Sequence, residues 1–223
     1  MRSRKGYAFL GFILVMVALC VTGFALQKHL VQEFKDIIPT ITERAVSDKV
    51  PEADYDSESS AYVSENDGAT QSQKDAVQDA TIYVQHTHMS RQAVYDQLVN
   101  YDNYSSEDAQ YAVDHLNFDW NVVALENAKE YLEYTSLSEA GLYEQLVSAY
   151  EQFTPEEAQY AVANAGADWN AEALEAAESY YTNAGLTENA QIYEQLTSVY
   201  DQFKPEQAQY AIDHLDRAKL DAK

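Results

Sequence analysis

The sequence predicts an all-α protein with an N-terminal transmembrane helix, a flexible linker and three tandem three-helix repeats with a helix-turn-helix outline. Three features predict this fold: a long apolar run near the start, an acidic Ser-rich segment after it, and a motif that recurs every 48 to 50 residues. The motif begins at Tyr95, Tyr143 and Tyr193, and an acid, Gln and Leu follow each tyrosine. A fixed period of this length indicates one supersecondary unit used several times.

Residues 1–27 combine a basic cytoplasmic tip with a candidate membrane anchor or signal segment. Arg2, Arg4 and Lys5 precede an uncharged run that extends from residue 6 to residue 26. About 20 apolar residues span the hydrocarbon core as a helix, and flanking basic residues stay in the cytoplasm. The sequence therefore predicts a single-pass protein of the cell membrane whose C-terminal region is extracellular.

Three fates remain open for this segment. It stays as an uncleaved signal anchor, it is cleaved as a secretory signal after Ala25, or it is cleaved before Cys20 and lipidated there. Lipidation signals carry a small residue before the cysteine, whereas Leu19 is large. Secretory signals have apolar cores of about 7–15 residues, shorter than this run. We therefore place the uncleaved anchor first and possible lipidation of Cys20 second.

Two connecting segments follow. Residues 28–48 carry apolar side chains at helical spacing, among them Phe34, Ile37 and Ile41, which predicts a juxtamembrane helix; the alternative is an amphipathic stretch on the bilayer surface. Residues 49–73 are acidic, rich in Ser and poor in aliphatic side chains. Such a segment does not bury enough apolar surface to offset the entropy of ordering, so we expect a disordered linker.

The repeats are assigned to residues 74–118, 119–167 and 168–223, with nine helices in total. Helix starts are well signalled: Thr154 supplies an N-cap hydroxyl and Pro155 suits the first helical position. The repeats contain no period-two alternation of apolar and polar residues, so no sheet is expected.

The charge of the chain is concentrated in the repeats and linker. Residues 1–50 hold seven Lys/Arg and four Asp/Glu, whereas residues 51–223 hold seven Lys/Arg and 33 Asp/Glu, a balance of −26. Such a surface repels nucleic acid and attracts cationic partners. Nucleic acid is therefore excluded as a partner despite the helix-turn-helix outline. The alternative is that the charge only keeps the protein soluble.

Acids that flank tyrosine rings are the candidate residues for binding a protein partner with a basic surface: Glu144, Glu151, Glu156, Glu157, Glu194 and Asp201. Trp120 and Trp169 lie at the start of the second and third repeats, and we expect them to pack between neighbouring repeats. The alternative is that they form a site that binds a partner. Tyr160 and Tyr210 neighbour an alanine stripe, which favours packing for these rings as well.

The sequence offers no pattern typical of catalysis, and we expect neither an enzyme nor a bound cofactor. A Gly-rich phosphate loop, a nucleophile elbow and a His-Glu-x-x-His motif are all missing. His86 and His88 are the only close histidine pair, and spacing i, i+2 does not place both on one helix face. No metal site is therefore predicted.

Three motifs of the repeats resemble the Ltp family of host cell surface-exposed lipoproteins: Tyr143–Leu146, Thr154–Val162 and Asp168–Asn170, read in order. The resemblance covers about two thirds of the chain. It implies tandem helix-turn-helix-like units held outside the membrane of a Gram-positive cell on a lipid anchor. Phage-encoded members are associated with superinfection exclusion, which blocks injection of incoming phage DNA, so the resemblance implies a phage injection component as partner. The alternative function is a structural module of the cell envelope that binds wall polymer.

Overall fold

In this computed structural model, the structure describes residues 68–222, and within that range it contains ten α-helices and no strand. The first repeat contains α1 (Gln71–Thr87), α2 (Arg91–Asn100) and α3 (Ser106–Asp114). The second contains α4 (Trp120–Tyr134), α5 (Glu139–Leu146) and α6 (Pro155–Asn164). The third contains α7 (Trp169–Thr182), α8 (Asn189–Leu196) and α9 (Pro205–His214), and α10 (Arg217–Asp221) follows. For these residues, the predicted all-α fold with three tandem repeats is confirmed.

All described residues belong to one compact unit of the chain. The predicted membrane anchor, Cys20, the juxtamembrane helix and most of the predicted linker lie outside the described residues. Among residues 68–222, no helix is both long enough and apolar enough to cross a membrane. The helix α1 begins at Gln71, inside the range assigned to the linker, because Thr70 and Gln73 form a reciprocal capping box.

Side-chain caps define most helix starts, but the third repeat lacks two of them. The hydroxyls of Ser90 and Ser138 accept hydrogen bonds from the third N–H of α2 and α5, at 3.1 and 3.0 Å. Glu188 precedes α8 and accepts no such bond within the described chain. Lys204 precedes α9, where only the reciprocal half of a capping box forms, from the Lys204 N–H to Gln207. A missing cap costs about 1 kcal/mol, so these two starts are the weakest of the array.

Two apolar clusters form the core of the repeats. The first is shared by the first and second repeats, and the second belongs to the third repeat. Both are built from alanines on the first and third helices and from a few large side chains that are fully buried: Leu98, Leu142, Leu146, Ile192 and Leu196. Small alanine side chains let these helices approach closely, and the large side chains of the second helix fill the remaining space.

Different contacts join successive repeats. Between the first and second repeats, Asn127 donates to the carbonyl oxygen of His88 at 3.3 Å, and Gln152 donates to Asp96 at 3.0 Å. Between the second and third repeats, the Lys204 ammonium lies 2.6 Å from the Glu139 carboxylate, and both side chains are exposed. An exposed ion pair contributes little to stability, so the first two repeats are more firmly joined by polar contacts than the last two.

The charged tail differs from the prediction of nine helices, because it forms the short helix α10. Asp216 caps this helix by accepting from the N–H of Lys219, and Leu220 is buried in the cluster of the third repeat. The Arg217 guanidinium lies 5.5 Å from the centre of the Tyr181 ring. The tail therefore covers apolar surface at the end of the array, as terminal repeats commonly do.

A half-buried carboxylate in α7 has no counterpart in α4. Glu172 stands four residues after the capping Asp168, and Val123, four residues after Asp119, is buried at that position in the second repeat. The Glu172 Oε2 atom is buried and has no hydrogen-bond partner among residues 68–222. Burial, followed by repulsion from Glu175 and Asp168, raises the pKa of Glu172 from 4.5 to about 7.

Replacement of Glu172 by Val should make the third repeat less sensitive to pH. Folding raises this pKa, so the folded state favours the protonated form of Glu172. The contribution of Glu172 to the free energy of unfolding is therefore fully present below pH 4.5 and is lost as the pH rises through about 7. We therefore expect Glu172→Val to exceed the wild type in free energy of unfolding at pH 8, with a smaller difference at pH 4.5. Urea unfolding at both pH values measures this. Glu172→Gln keeps the shape of the side chain but does not titrate, so its stability should vary with pH as that of Glu172→Val does. If the free energy of unfolding varied with pH in parallel for the wild type and both variants, the raised pKa of Glu172 would be contradicted.

Candidate partner-binding surface

One hydrogen bond recurs in all three repeats and joins the first helix to the turn between the second and third helices. In each case a tyrosine hydroxyl of the first helix donates to a carboxylate of the turn. The distances are 2.9 Å for Tyr83 to Asp102, 2.6 Å for Tyr131 to Glu151 and 2.6 Å for Tyr180 to Asp201. The partners are 19 to 21 residues apart in sequence, so this bond fixes the fold of each repeat.

A glutamine from the second helix completes each cluster. In the second repeat, the Gln145 amide donates to the Tyr131 hydroxyl at 3.0 Å. In the first and third repeats, the corresponding amides of Gln97 and Gln195 lie 3.5 Å from the turn carboxylate. The Tyr-carboxylate-Gln cluster therefore links the first helix, the second helix and the turn that follows it.

The backbone of the turn is equally regular. The residue after the carboxylate takes a left-handed conformation in each repeat, with φ of 65° at Asn103, 54° at Gln152 and 56° at Gln202. Two residues after the carboxylate, the N–H of Phe153 or Phe203 donates to the carbonyl of the last leucine of the preceding helix, at 3.0 and 2.9 Å. In the second and third repeats the left-handed residue lies in the turn, beyond the end of the helix, in a conformation that glycine adopts most readily.

Burial and neighbouring carboxylates keep the cluster hydroxyls protonated. Burial, assisted by the hydrogen bond to the turn carboxylate, raises the pKa of Tyr83 and of Tyr180 to about 12. The pKa of Tyr131 is raised further by burial and by the charge of Glu151. Burial also raises the pKa of Glu151, against the opposing effect of its bonds to Tyr131 and Asn127. Near neutral pH each tyrosine is therefore a hydrogen-bond donor.

Three of the six acids predicted to bind a partner have structural contacts. Glu151 and Asp201 are half-buried and accept the tyrosine hydroxyls of their clusters. Glu157 accepts from the N–H of Thr154 at 2.9 Å and completes the capping box of α6. Changing these three carboxylates would alter the fold of a repeat as well as its surface.

The other three predicted acids, Glu144, Glu156 and Glu194, are exposed to solvent. Glu144 and Glu194 occupy equivalent positions in α5 and α8, and Glu156 lies in the first turn of α6. Their role in binding a partner stays a prediction, and they are the members of the set that can be changed without removing a contact described above.

The two tryptophans and the two tyrosines that were predicted to pack differ in burial. Trp120 and Trp169 are partly buried, and both pack against the cluster shared by the first two repeats, although Trp169 begins the third. The packing prediction for Tyr160 and Tyr210 was wrong: 40% and 36% of these residues are exposed. They lie beside the alanine stripe without joining it, and the Tyr210 ring stacks on His214 with centroids 3.9 Å apart.

The part of the chain that the structure describes contains no group of three or more His, Cys, Asp or Glu placed to hold a metal ion. The His88 ring lies at the junction of the first two repeats, with Nδ1 3.2 Å from the Glu130 carboxylate. His88 itself has a positive φ of 47° and ends α1. These contacts place His88 at a helix end and beside the second repeat.

Sequence reasoning missed the glutamines and Asp102 of the recurring cluster. The signal was present, because Gln97, Gln145 and Gln195 stand in the repeated motif itself, and a tyrosine followed by an acid recurs a few residues after the motif. Periodicity showed that these residues recur, but it did not show which first-helix tyrosine each acid contacts.

The sequence pattern of the host cell surface-exposed lipoproteins (Lipoprotein_Ltp) matches the chain three times, over residues 71–116, 119–164 and 168–215. The matches cover more than half of the chain, and the chain therefore belongs to this family, as the repeated motifs predicted. The family consists of cell-surface proteins and is not a known family of enzymes.

The chain is similar to the solved structure of Ltp, a superinfection exclusion protein from the Streptococcus thermophilus temperate phage TP-J34. The two sequences are 41% identical over a region that covers 43% of this chain and 97% of that chain, with a TM-score of 0.41. No protein of curated function matches the chain.

Removing one cluster hydroxyl should destabilise its repeat. Tyr180→Phe leaves the half-buried Asp201 carboxylate without its donor from α7, and we expect a loss of about 1 kcal/mol in free energy of unfolding, the low end of the range because the site is partly hydrated. Tyr181→Phe is the matched control, since its hydroxyl donates to Asp221 at the surface. Urea unfolding followed by circular dichroism compares the two. An equal effect of both changes would show that the cluster contributes nothing beyond a surface bond.

Proposed function

We propose that this chain is a membrane-anchored extracellular protein that binds a basic protein partner through its acidic repeats and excludes superinfecting phage by blocking DNA injection. The observation that supports it most directly is the surplus of exposed carboxylates on helical repeats that belong to a family of cell-surface proteins. The exclusion activity is the one that family resemblance implies for phage-encoded members.

The charge balance of the described residues favours a cationic partner. Residues 68–222 carry 27 Asp/Glu and six Lys/Arg, a balance of −21. Three of the six cations form ion pairs within the chain, at Arg91, Lys129 and Lys204. A field of this sign accelerates encounter with a basic surface and weakens within about 8 Å at physiological salt.

We propose that the N-terminal segment holds the repeats at the cell surface. The apolar run of residues 6–26 is long enough to remain as an anchor, and Cys20 lies within it as the alternative attachment point for lipid. The acidic linker would then hold the repeats at a distance from the membrane.

Cys20→Ala distinguishes the two attachments. If the apolar helix is the anchor, the variant stays in the membrane fraction with the wild type, and neither protein incorporates labelled fatty acid. Cell fractionation and metabolic labelling with palmitate measure both properties. Release of the variant into the medium, together with labelling of the wild type alone, would show that a lipid on Cys20 is the anchor.

Neutralising the exposed acids should weaken exclusion. The triple variant Glu144→Gln, Glu156→Gln and Glu194→Gln keeps the structural carboxylates, and we expect it to lose at least about tenfold of its protection, since each lost charge contact is worth a few-fold in affinity. Efficiency of plating, with separate measurement of phage adsorption and DNA injection, tests this. Normal adsorption with failed injection is expected for cells that carry the wild type.

A matched triple change, Asp75→Asn, Glu188→Gln and Asp213→Asn, alters net charge equally at other exposed positions. Equal loss of protection in this control would contradict a localised site. Absence of any protection by the wild type, together with salt-dependent binding to purified cell walls, would instead support the role of a wall-binding module.

A further inference from the structure

Three exposed tyrosines stand at the same position in the three repeats. Tyr101, Tyr150 and Tyr200 are 51%, 55% and 83% exposed, and each directly precedes the carboxylate of a Tyr-carboxylate-Gln cluster. The residues before them differ, being Asn100, Ala149 and Val199. The ring therefore recurs at a solvent-exposed position while its neighbour changes.

In the second and third repeats, the backbone that carries the ring is fixed from both sides. On the C-terminal side, the next residue is tied to the first helix by the tyrosine hydroxyl, and the left-handed residue follows it. On the N-terminal side, the Ser148 hydroxyl accepts from the N–H groups of Tyr150 and Glu151, and Ser198 does the same for Tyr200 and Asp201. A ring on an ordered turn loses little further backbone freedom when it binds a partner.

The chemistry of the surface indicates which groups would cover these rings. The face of a tyrosine ring attracts cations, and guanidinium groups also stack on it, so arginine suits such a site better than lysine. The surrounding carboxylates concentrate cationic side chains near the rings. A second copy of this chain is a poor occupant, because it carries the same negative charge and only six Lys/Arg in its described residues.

We propose that Tyr101, Tyr150 and Tyr200 are contact residues for arginine side chains of the basic partner, with one ring engaged in each repeat. This proposal rests on the proposed function and specifies how its acidic surface recognises a polypeptide. Three equivalent contacts on one array act together, since the first raises the local concentration of partner at the others. The partner would therefore carry several arginines along one extended or helical segment.

Binding of two defined polycations tests the proposal. The full chain is reconstituted in nanodiscs of neutral lipid, and its affinity is measured for poly-L-arginine and for poly-L-lysine of equal length. The wild type should prefer poly-L-arginine by about 2- to 5-fold for each ring engaged. The triple variant Tyr101→Ala, Tyr150→Ala and Tyr200→Ala should lose this preference and retain its affinity for poly-L-lysine.

The matched control is Tyr111→Ala, Tyr160→Ala and Tyr210→Ala, which removes three rings at equivalent positions on the third helices. It should retain the preference for arginine, and circular dichroism verifies that both triple variants keep their helices. An unchanged preference in the first variant, or equal loss in the control, would overturn the role of the turn tyrosines while leaving the acidic surface in place. If neither polycation binds the wild type at low salt, the proposed basic partner and the ring contacts both fail.

Discussion

The hydrogen bond from a first-helix tyrosine to the carboxylate of the turn is the interaction on which the form of each repeat depends. It joins segments about twenty residues apart, and the glutamine of the second helix extends it to a third element. The core alone would not specify this geometry, because the alanines of the first and third helices fill space without selecting one orientation. The left-handed turn residue is strained, at a cost of about 1–3 kcal/mol, and the cluster holds it in place.

The third repeat forms the same Tyr-carboxylate-Gln cluster, but fewer capping and packing contacts stabilise its helices. It lacks the serine cap of its second helix and the hydroxyl cap of its third, and its apolar cluster is separate from the one that the first two repeats share. Glu172 adds a half-buried carboxylate, with an unpaired Oε2 atom among the described residues, where the second repeat has the buried Val123. The helix α10 offsets part of this deficit by burying Leu220. Local opening is therefore easiest at the C-terminal end of the array.

The carboxylates of this chain have two roles, internal hydrogen bonding and exposure to solvent, and the composition alone does not distinguish them. Some carboxylates, such as Glu151 and Glu157, complete hydrogen-bond networks, whereas others, such as Glu144 and Glu194, face solvent. Only the second kind is available to a partner without a change in the repeat. The same division applies to tyrosine: Tyr131 and Tyr180 hold the fold, while Tyr101 and Tyr200 are exposed on the turns that those bonds stabilise.

The sequence by itself determined the repeat, its helices and most of their caps, because these depend on near neighbours: Thr154 with Glu157, and the apolar spacing that buries Leu142 and Leu146. It also determined the family, through motifs that recur in order. Tertiary structure alone decided which acids accept hydrogen bonds within a repeat, and it decided that Gln152 and Gln202 take a positive φ. It also decided that Tyr160 stays exposed and that Leu220 is buried. Each of these depends on groups that are distant in sequence and meet only when the three helices pack, and no local pattern encodes that meeting.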